Sequence, residues 1–207
     1  MAESPCTGHP GSTAAGAHPL GATRPGEAAL KAETAAVEMY RFAALLLGDE
    51  AEAMNLVETT VAAVDIDPCA DPCTAKGLVR ERVLDGALAI VHRDHPAAFD
   101  HLPAADPSGS CLEDDATVPL SSGEIASLIA GAGRGPLRDW LGRLSHAQRA
   151  VFVQRALLGS SNADTARAIN RHARPSTWTA EAVSNLFRQA LCSLASSLMH
   201  AAPAAQV

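Results

Sequence analysis

The amino-acid sequence predicts an all-α protein in which a linker joins two small helical domains, the second ending in a helix-turn-helix. Two observations predict this fold class. Apolar residues make up 47% of the 207 residues and aromatic residues only 3%; alanine, the best helix former, recurs throughout, while strand-favouring residues are scarce. Segments with apolar residues at helical spacing fall into two groups, separated by a stretch rich in proline and acidic residues.

The domain boundaries follow from changes in composition along the chain. Residues 1–28 are rich in Gly, Pro, Ser, Thr and Ala, which predicts a disordered N-terminal tail. A first helical domain is expected over 29–95 and a second over 121–200. Between them, residues 96–120 hold four prolines and an acidic run, a composition typical of linkers. Residues 201–207 are expected to form a short C-terminal tail.

Charge and cysteine content narrow the class of protein. A net charge of −7 argues against a surface that binds nucleic acid all over, but allows a local basic face. No long apolar run and no secretory signal is evident, so we expect a cytoplasmic protein without a membrane partner. Five widely spaced cysteines make a poor disulfide framework and predict reduced thiols. These cysteines are Cys6, Cys69, Cys73, Cys111 and Cys192.

Three helices are predicted in the first domain. The first begins near Ala29 and ends at Gly48, a residue type that favours helix C-termini. Asp49 follows as the N-cap of the second helix. The third runs from about Thr74 to His92 and is stopped by Pro96.

The second domain is expected to open with a short helix capped by Ser121 or Ser122. An apolar stripe at helical spacing follows, and it predicts a helix with one buried face. The stripe consists of Leu137, Trp140, Leu141 and Leu144.

The remaining helices of the second domain have helix-turn-helix spacing. Ser145 is the predicted N-cap of a helix that ends at Gly159. Ser161 or Asn162 caps a very short helix over Ala163–Ile169, and the last helix starts at Thr179. A helix, a glycine turn, a short helix, a loop and a longer helix form the arrangement by which many proteins place a helix in the major groove of DNA.

Three segments of this domain resemble a known family. Residues 144–155 read LSHAQRAVFVQR, residues 159–166 read GSSNADTA, and residues 182–190 read AVSNLFRQA. They resemble the C-terminal domain of extracytoplasmic-function (ECF) sigma factors of RNA polymerase, whose typical strings are L-P-x-x-Q-R-x-V-F-x-L-R, G-x-S-x-x-E-I-A and T-V-K-S-R-L-x-R-A. Residues 40–59, YRFAALLLGDEAEAMNLVET, are similar to the first sigma helices, Y-R-x-A-x-x-L-L-G-D-x-x-x-A-E-D-L-V-Q-E. The N-terminal match (residues 40–59) and the C-terminal match (residues 144–190) occur in the family's order and spacing.

The resemblance implies core RNA polymerase and promoter DNA as partners, with an anti-sigma factor as a further one. It places the polymerase-facing surface on the second helix, at Leu56, Val57 and Glu58. It places Arg80 and Arg82 near the melted DNA strand. Asparagine and arginine side chains can pair with adenine and guanine edges in the major groove, and the resemblance implies this role for Ser184, Asn185 and Arg188.

Several positions depart from the family pattern. Residues 75–82 carry none of the aromatic side chains with which the family's third helix stacks unpaired bases. The acidic A-E-D string is replaced at residues 53–55. The family's Lys, Ser, Arg and second Arg positions in the last helix hold Ser184, Asn185, Leu186 and Gln189, and among these residues and Arg188 only Arg188 is cationic. An insertion over 171–178, with Arg171, His172 and Arg174, could supply the missing positive charge.

These departures leave an alternative function open. The chain could be a degenerate sigma mimic that binds an anti-sigma factor or another protein without initiating transcription, which the acidic charge and missing cations favour. A third interpretation is a structural helical module with no role in transcription. Copurification with core RNA polymerase discriminates between these hypotheses.

Catalytic and metal-binding patterns are weak. Cys69, Cys73, His92 and His95 could in principle supply four zinc ligands, but their spacing is not that of a common zinc finger, and buried or idle thiols are favoured. No glycine-rich phosphate loop and no carboxylate pair in a catalytic setting is evident, so we expect neither an enzyme nor a cofactor.

Overall fold

The computed structural model describes residues 25–64, 72–100, 111, 134–173 and 177–201. Within these ranges all regular secondary structure is helical, which confirms the predicted all-α class. The predicted short helix at Ser121 or Ser122 and most of both tails lie outside the described residues. None of the helices in these ranges is long and apolar enough to cross a membrane.

Three α-helices and a short 3-10 helix form the N-terminal half (residues 25–100). They are α1 (Pro25–Leu47), α2 (Glu50–Ala63), α3 (Pro72–Asp94) and the 3-10 helix Pro96–Ala98. Helix α1 begins ahead of the predicted start near Ala29, because proline fits the first position of a helix. It ends at Gly48, which has a φ of +78°. Asp49 caps α2 as predicted, and its carboxylate accepts a hydrogen bond from the backbone of Glu52 at 2.9 Å.

Four helices form the C-terminal half (residues 134–201). Helix α4 spans Arg134–Arg143, α5 spans His146–Phe152 and continues as a π turn over Val153–Leu157, α6 spans Asn162–Asn170, and α7 spans Ala180–Ala201. A π turn contains one wider hydrogen-bonded ring, which here joins the Leu158 amide to the Val153 carbonyl at 3.1 Å.

Side-chain caps fix where these helices begin. Ser145 and Gln148 form a reciprocal capping box at the start of α5. The Ser161 hydroxyl accepts from the backbone of Asp164 at 3.1 Å, which selects Ser161 over Asn162 as the cap of α6. The Thr179 hydroxyl accepts from Ala182 at 3.1 Å at the start of α7. The predicted caps Asp49, Ser145 and Ser161 are therefore confirmed.

The buried side chains of both halves form one continuous hydrophobic cluster. The predicted stripe of α4 is buried in it as expected. Phe99 also belongs to it and is 0% exposed, although it lies within the predicted linker. The indole nitrogen of Trp178 donates to the Phe99 carbonyl at 2.8 Å, so the two halves are joined by a buried hydrogen bond. The two-domain division stays a prediction.

The cysteines differ from the sequence-based prediction. Cys111 and Cys192 form a disulfide with a Cα–Cα distance of 5.7 Å, and Cys73 is disulfide-bonded as well. Reduced thiols were therefore the wrong prediction for these three residues, because sequence spacing does not reveal that the fold brings positions 81 residues apart together. The hypothetical zinc site also lacks the thiolate of Cys73, and the described part of the chain contains no cluster of metal-binding side chains.

Candidate nucleic-acid interface

Helix α7 has a buried side and a polar side. Its buried side carries Val183, Leu186, Phe187 and Leu191, which pack in the core. Ser184, Asn185 and Arg188 lie half-buried on the other side. The Arg188 guanidinium donates to the amide oxygen of Asn185, so these two side chains already contact each other. The polar side therefore offers amide, hydroxyl and guanidinium groups in one place.

The connection between α6 and α7 is held by a side chain that the sequence analysis did not single out. The Asn170 amide donates to the Trp178 carbonyl at 2.8 Å, and its oxygen accepts from the Trp178 backbone at 3.1 Å. Trp178 is itself buried. Two reciprocal hydrogen bonds and a buried indole fix the start of α7 relative to α6. A lone tryptophan beside a predicted loop is the signal that could have indicated this anchor.

Arg171 follows α6 and points towards the N-terminal half. Its Nε donates to the Asp85 carboxylate of α3 at 2.8 Å, and the Nε2 atom of His172 lies 3.1 Å from the same oxygen. Burial alone would raise the pKa of Asp85, but the hydrogen bonds and charges of Arg171 and His172 bring it below its ordinary value. Arg174, the other predicted loop cation, lies outside the described residues.

Arg80 is not at an open surface. Its guanidinium donates to the Leu158 carbonyl of the π turn, so this α3 residue is half-buried against the C-terminal half. Burial lowers its pKa, and the charge of Glu38 opposes that shift. The structure thus places Arg80 in a contact between the halves. Its role near a melted DNA strand stays a prediction. Arg82, further along the same helix, is exposed.

The three predicted polymerase contacts on α2 have different surroundings. Val57 is 5% exposed and packs in the core, and Leu56 is half-buried against it. Glu58 is exposed, as are Met54 and Val61 on the same helix. Of the three residues, Glu58 alone is exposed.

Arg149 links the two sequence matches to each other. It is 8% exposed and donates to the Leu141 carbonyl at 3.0 Å and the Gly142 carbonyl at 3.3 Å, at the C-terminal end of α4. Burial lowers its pKa. The same guanidinium lies against Gly48 of the N-terminal half, where a Cβ atom would stand 2.8 Å from Nη1.

Two further contacts cross between the halves at their surface. Arg138 of α4 forms an ion pair with Glu50 of α2. The His95 and His146 rings stack with their centroids 3.8 Å apart. His146 has a lowered pKa because of burial and the charges of His95 and Arg149.

Comparisons of the chain with protein-family models, with curated proteins and with solved structures find no match. The residues and their contacts therefore carry any functional conclusion.

Proposed function

We propose that this chain is a sigma-factor-like transcription initiation or regulation protein that acts in the cytoplasm, binding core RNA polymerase and promoter DNA. The observation that carries the proposal is the polar side of α7, opposite a fully buried apolar side and fixed to α6 through Asn170 and Trp178. A groove-reading helix needs this combination of a rigid support and a side that carries hydrogen-bonding groups.

The roles follow from exposure and chemistry. Ser184, Asn185 and Arg188 are the proposed base-reading group, and Arg171 and Arg174 are the proposed phosphate contacts, which position the helix without reading sequence. Arg82 is the exposed cation that the N-terminal half offers to the DNA strand. On α2, the proposed polymerase contact is Glu58, which is exposed, and the half-buried Leu56 lies at the edge of that contact.

DNA binding by the whole chain tests the proposal. The triple variant Arg171→Ala, Arg174→Ala, Arg188→Ala is expected to bind promoter-like DNA more weakly, with a log–log salt slope shallower by about 0.9 for each DNA phosphate that an arginine no longer neutralises. The control is Arg93→Ala, because Arg93 is an exposed arginine paired with Glu52 and Asp94 inside the N-terminal half. An equal loss of affinity in the control and the triple variant would show nonspecific attraction only.

A second function is favoured by one observation: Arg80 and Arg171, proposed cations of different halves, are both engaged by the opposite half. A sigma mimic that binds an anti-sigma factor needs no cation facing DNA. Copurification with core polymerase, followed by single-round transcription on a promoter library, separates the two functions. Transcripts indicate an initiator, whereas anti-sigma binding without transcripts and without salt-sensitive DNA binding indicates a mimic.

A further inference from the structure

The carboxylate of Asp85 in α3 forms an ion pair with Arg171. Arg171 is the loop arginine of the proposed DNA-binding surface whose position the structure describes. A single oxygen of its carboxylate accepts from Arg171 Nε and lies within reach of His172 Nε2. The two contacting side chains come from the turn that follows α6, whereas Asp85 belongs to the other half. The contact therefore joins the halves through Arg171, one of the two residues that the proposed function assigns to the DNA backbone.

The geometry resembles the binding of an anion. An arginine and a histidine converging on one anionic oxygen form the kind of charge-assisted site that also accepts a phosphate oxygen. The pKa of Asp85 lies below its ordinary value, so the carboxylate is charged at neutral pH. A charged carboxylate competes for the guanidinium with a phosphate group in the same place.

The contact is also accessible. The side chains of Asp85 and Arg171 are 43% and 44% exposed, so solvent and a polyanion can reach the pair without unfolding the core. An ion pair this exposed contributes little to stability. It can therefore be exchanged for a stronger contact.

We propose that Asp85 is an intramolecular competitor of DNA phosphate: it holds Arg171 and His172 in the unbound protein and is displaced when DNA binds. This inference rests on the proposed function. The competition lowers the affinity of the isolated chain for DNA, because every binding event must first break the Asp85 contact.

The test is DNA binding by Asp85→Asn, measured over a range of salt concentrations with a promoter-like duplex. Asp85→Asn is expected to bind up to about fivefold more tightly than the wild type at low salt. Its log–log slope is expected to equal that of the wild type, because Arg171 neutralises the same phosphate in both complexes. The matched control is Asp94→Asn, which removes one charge from the same helix but breaks only the local pair with Arg93. Asp85→Glu keeps the carboxylate and is expected to bind like the wild type.

A double-variant cycle ties the effect to Arg171. In an Arg171→Ala background, Asp85→Asn is expected to change neither affinity nor slope, because the guanidinium for which Asp85 and DNA phosphate compete is absent. Equal affinities of Asp85→Asn, Asp94→Asn and the wild type would overturn the proposal that Asp85 competes with DNA phosphate. Arginine-dependent DNA binding, and thus the proposed function, would remain intact. An absence of DNA binding by every variant, alone and with core polymerase, would overturn the proposed function itself.

Discussion

Gly48 is the position at which one added methyl group is expected to damage the contact between the halves. Two costs add up in Gly48→Ala. The φ of +78° places the residue in the left-handed region, which costs alanine roughly 1–2 kcal/mol. The new Cβ would also stand 2.8 Å from Arg149 Nη1, so the guanidinium must move.

The second cost comes from the hydrogen bonds of Arg149. Its bonds to Leu141 and Gly142 measure 3.0 and 3.3 Å, so a displacement of a few tenths of an ångström weakens both. Weakening the bonds of a nearly buried charged donor costs about 1–3 kcal/mol. The expected total destabilisation for Gly48→Ala is therefore about 2–5 kcal/mol.

Gly159→Ala is the matched control. Gly159 has a φ of +64° and a Cβ there would meet nothing within 4 Å, so this variant has the backbone cost alone. Urea unfolding of both variants should show Gly48→Ala to be the less stable by about 1–3 kcal/mol. The difference should vanish in an Arg149→Ala background. Equal destabilisation by the two alanines in the wild-type background would refute the role given to Arg149.

Two further predictions concern the contacts between the halves. Trp178→Phe keeps the aromatic ring but removes the indole donor to Phe99, and should destabilise the protein by about 1–3 kcal/mol in urea unfolding; a loss under about 0.5 kcal/mol would mean that water replaces the bond. His146 has its pKa lowered from 6.5, so the folded state favours its neutral ring, and stability present above that pH should decline as the pH falls below it. His146→Gln should decline less between about pH 7 and about pH 5.5, and an identical pH profile would show that His146 is not the titrating group.

The parts of the fold that sequence analysis predicted are those decided locally. Asp49 and Ser145 are caps because a short polar side chain accepts a hydrogen bond from the backbone amide three residues later. Gly48 ends α1 because it tolerates a positive φ. The apolar stripe of α4 likewise follows from helical periodicity. Each of these depends on residues within about one turn of each other.

The parts that sequence analysis missed depend on residues far apart in the chain. Nothing near Asp85 in sequence indicates that Arg171 will pair with it, 86 residues away. Phe99 lies in a proline-rich stretch that is typical of linkers, and only Trp178 and the packed core explain its burial. The cysteine pair Cys111 and Cys192 is of the same kind. Pairings of this type are set by tertiary packing, which local patterns do not encode.

The two tryptophans make the protein its own optical probe. Trp140 is buried within the C-terminal half, where its ring meets Phe152 edge-on at 4.9 Å and its nitrogen donates to Ser193. Trp178 instead reaches across to the Phe99 carbonyl. In the Trp140→Phe variant, Trp178 is the single remaining tryptophan. The wavelength of its fluorescence emission maximum then reports whether solvent reaches the contact between the halves. If DNA or polymerase separates the halves, a shift in Trp178 fluorescence follows that separation without an attached dye.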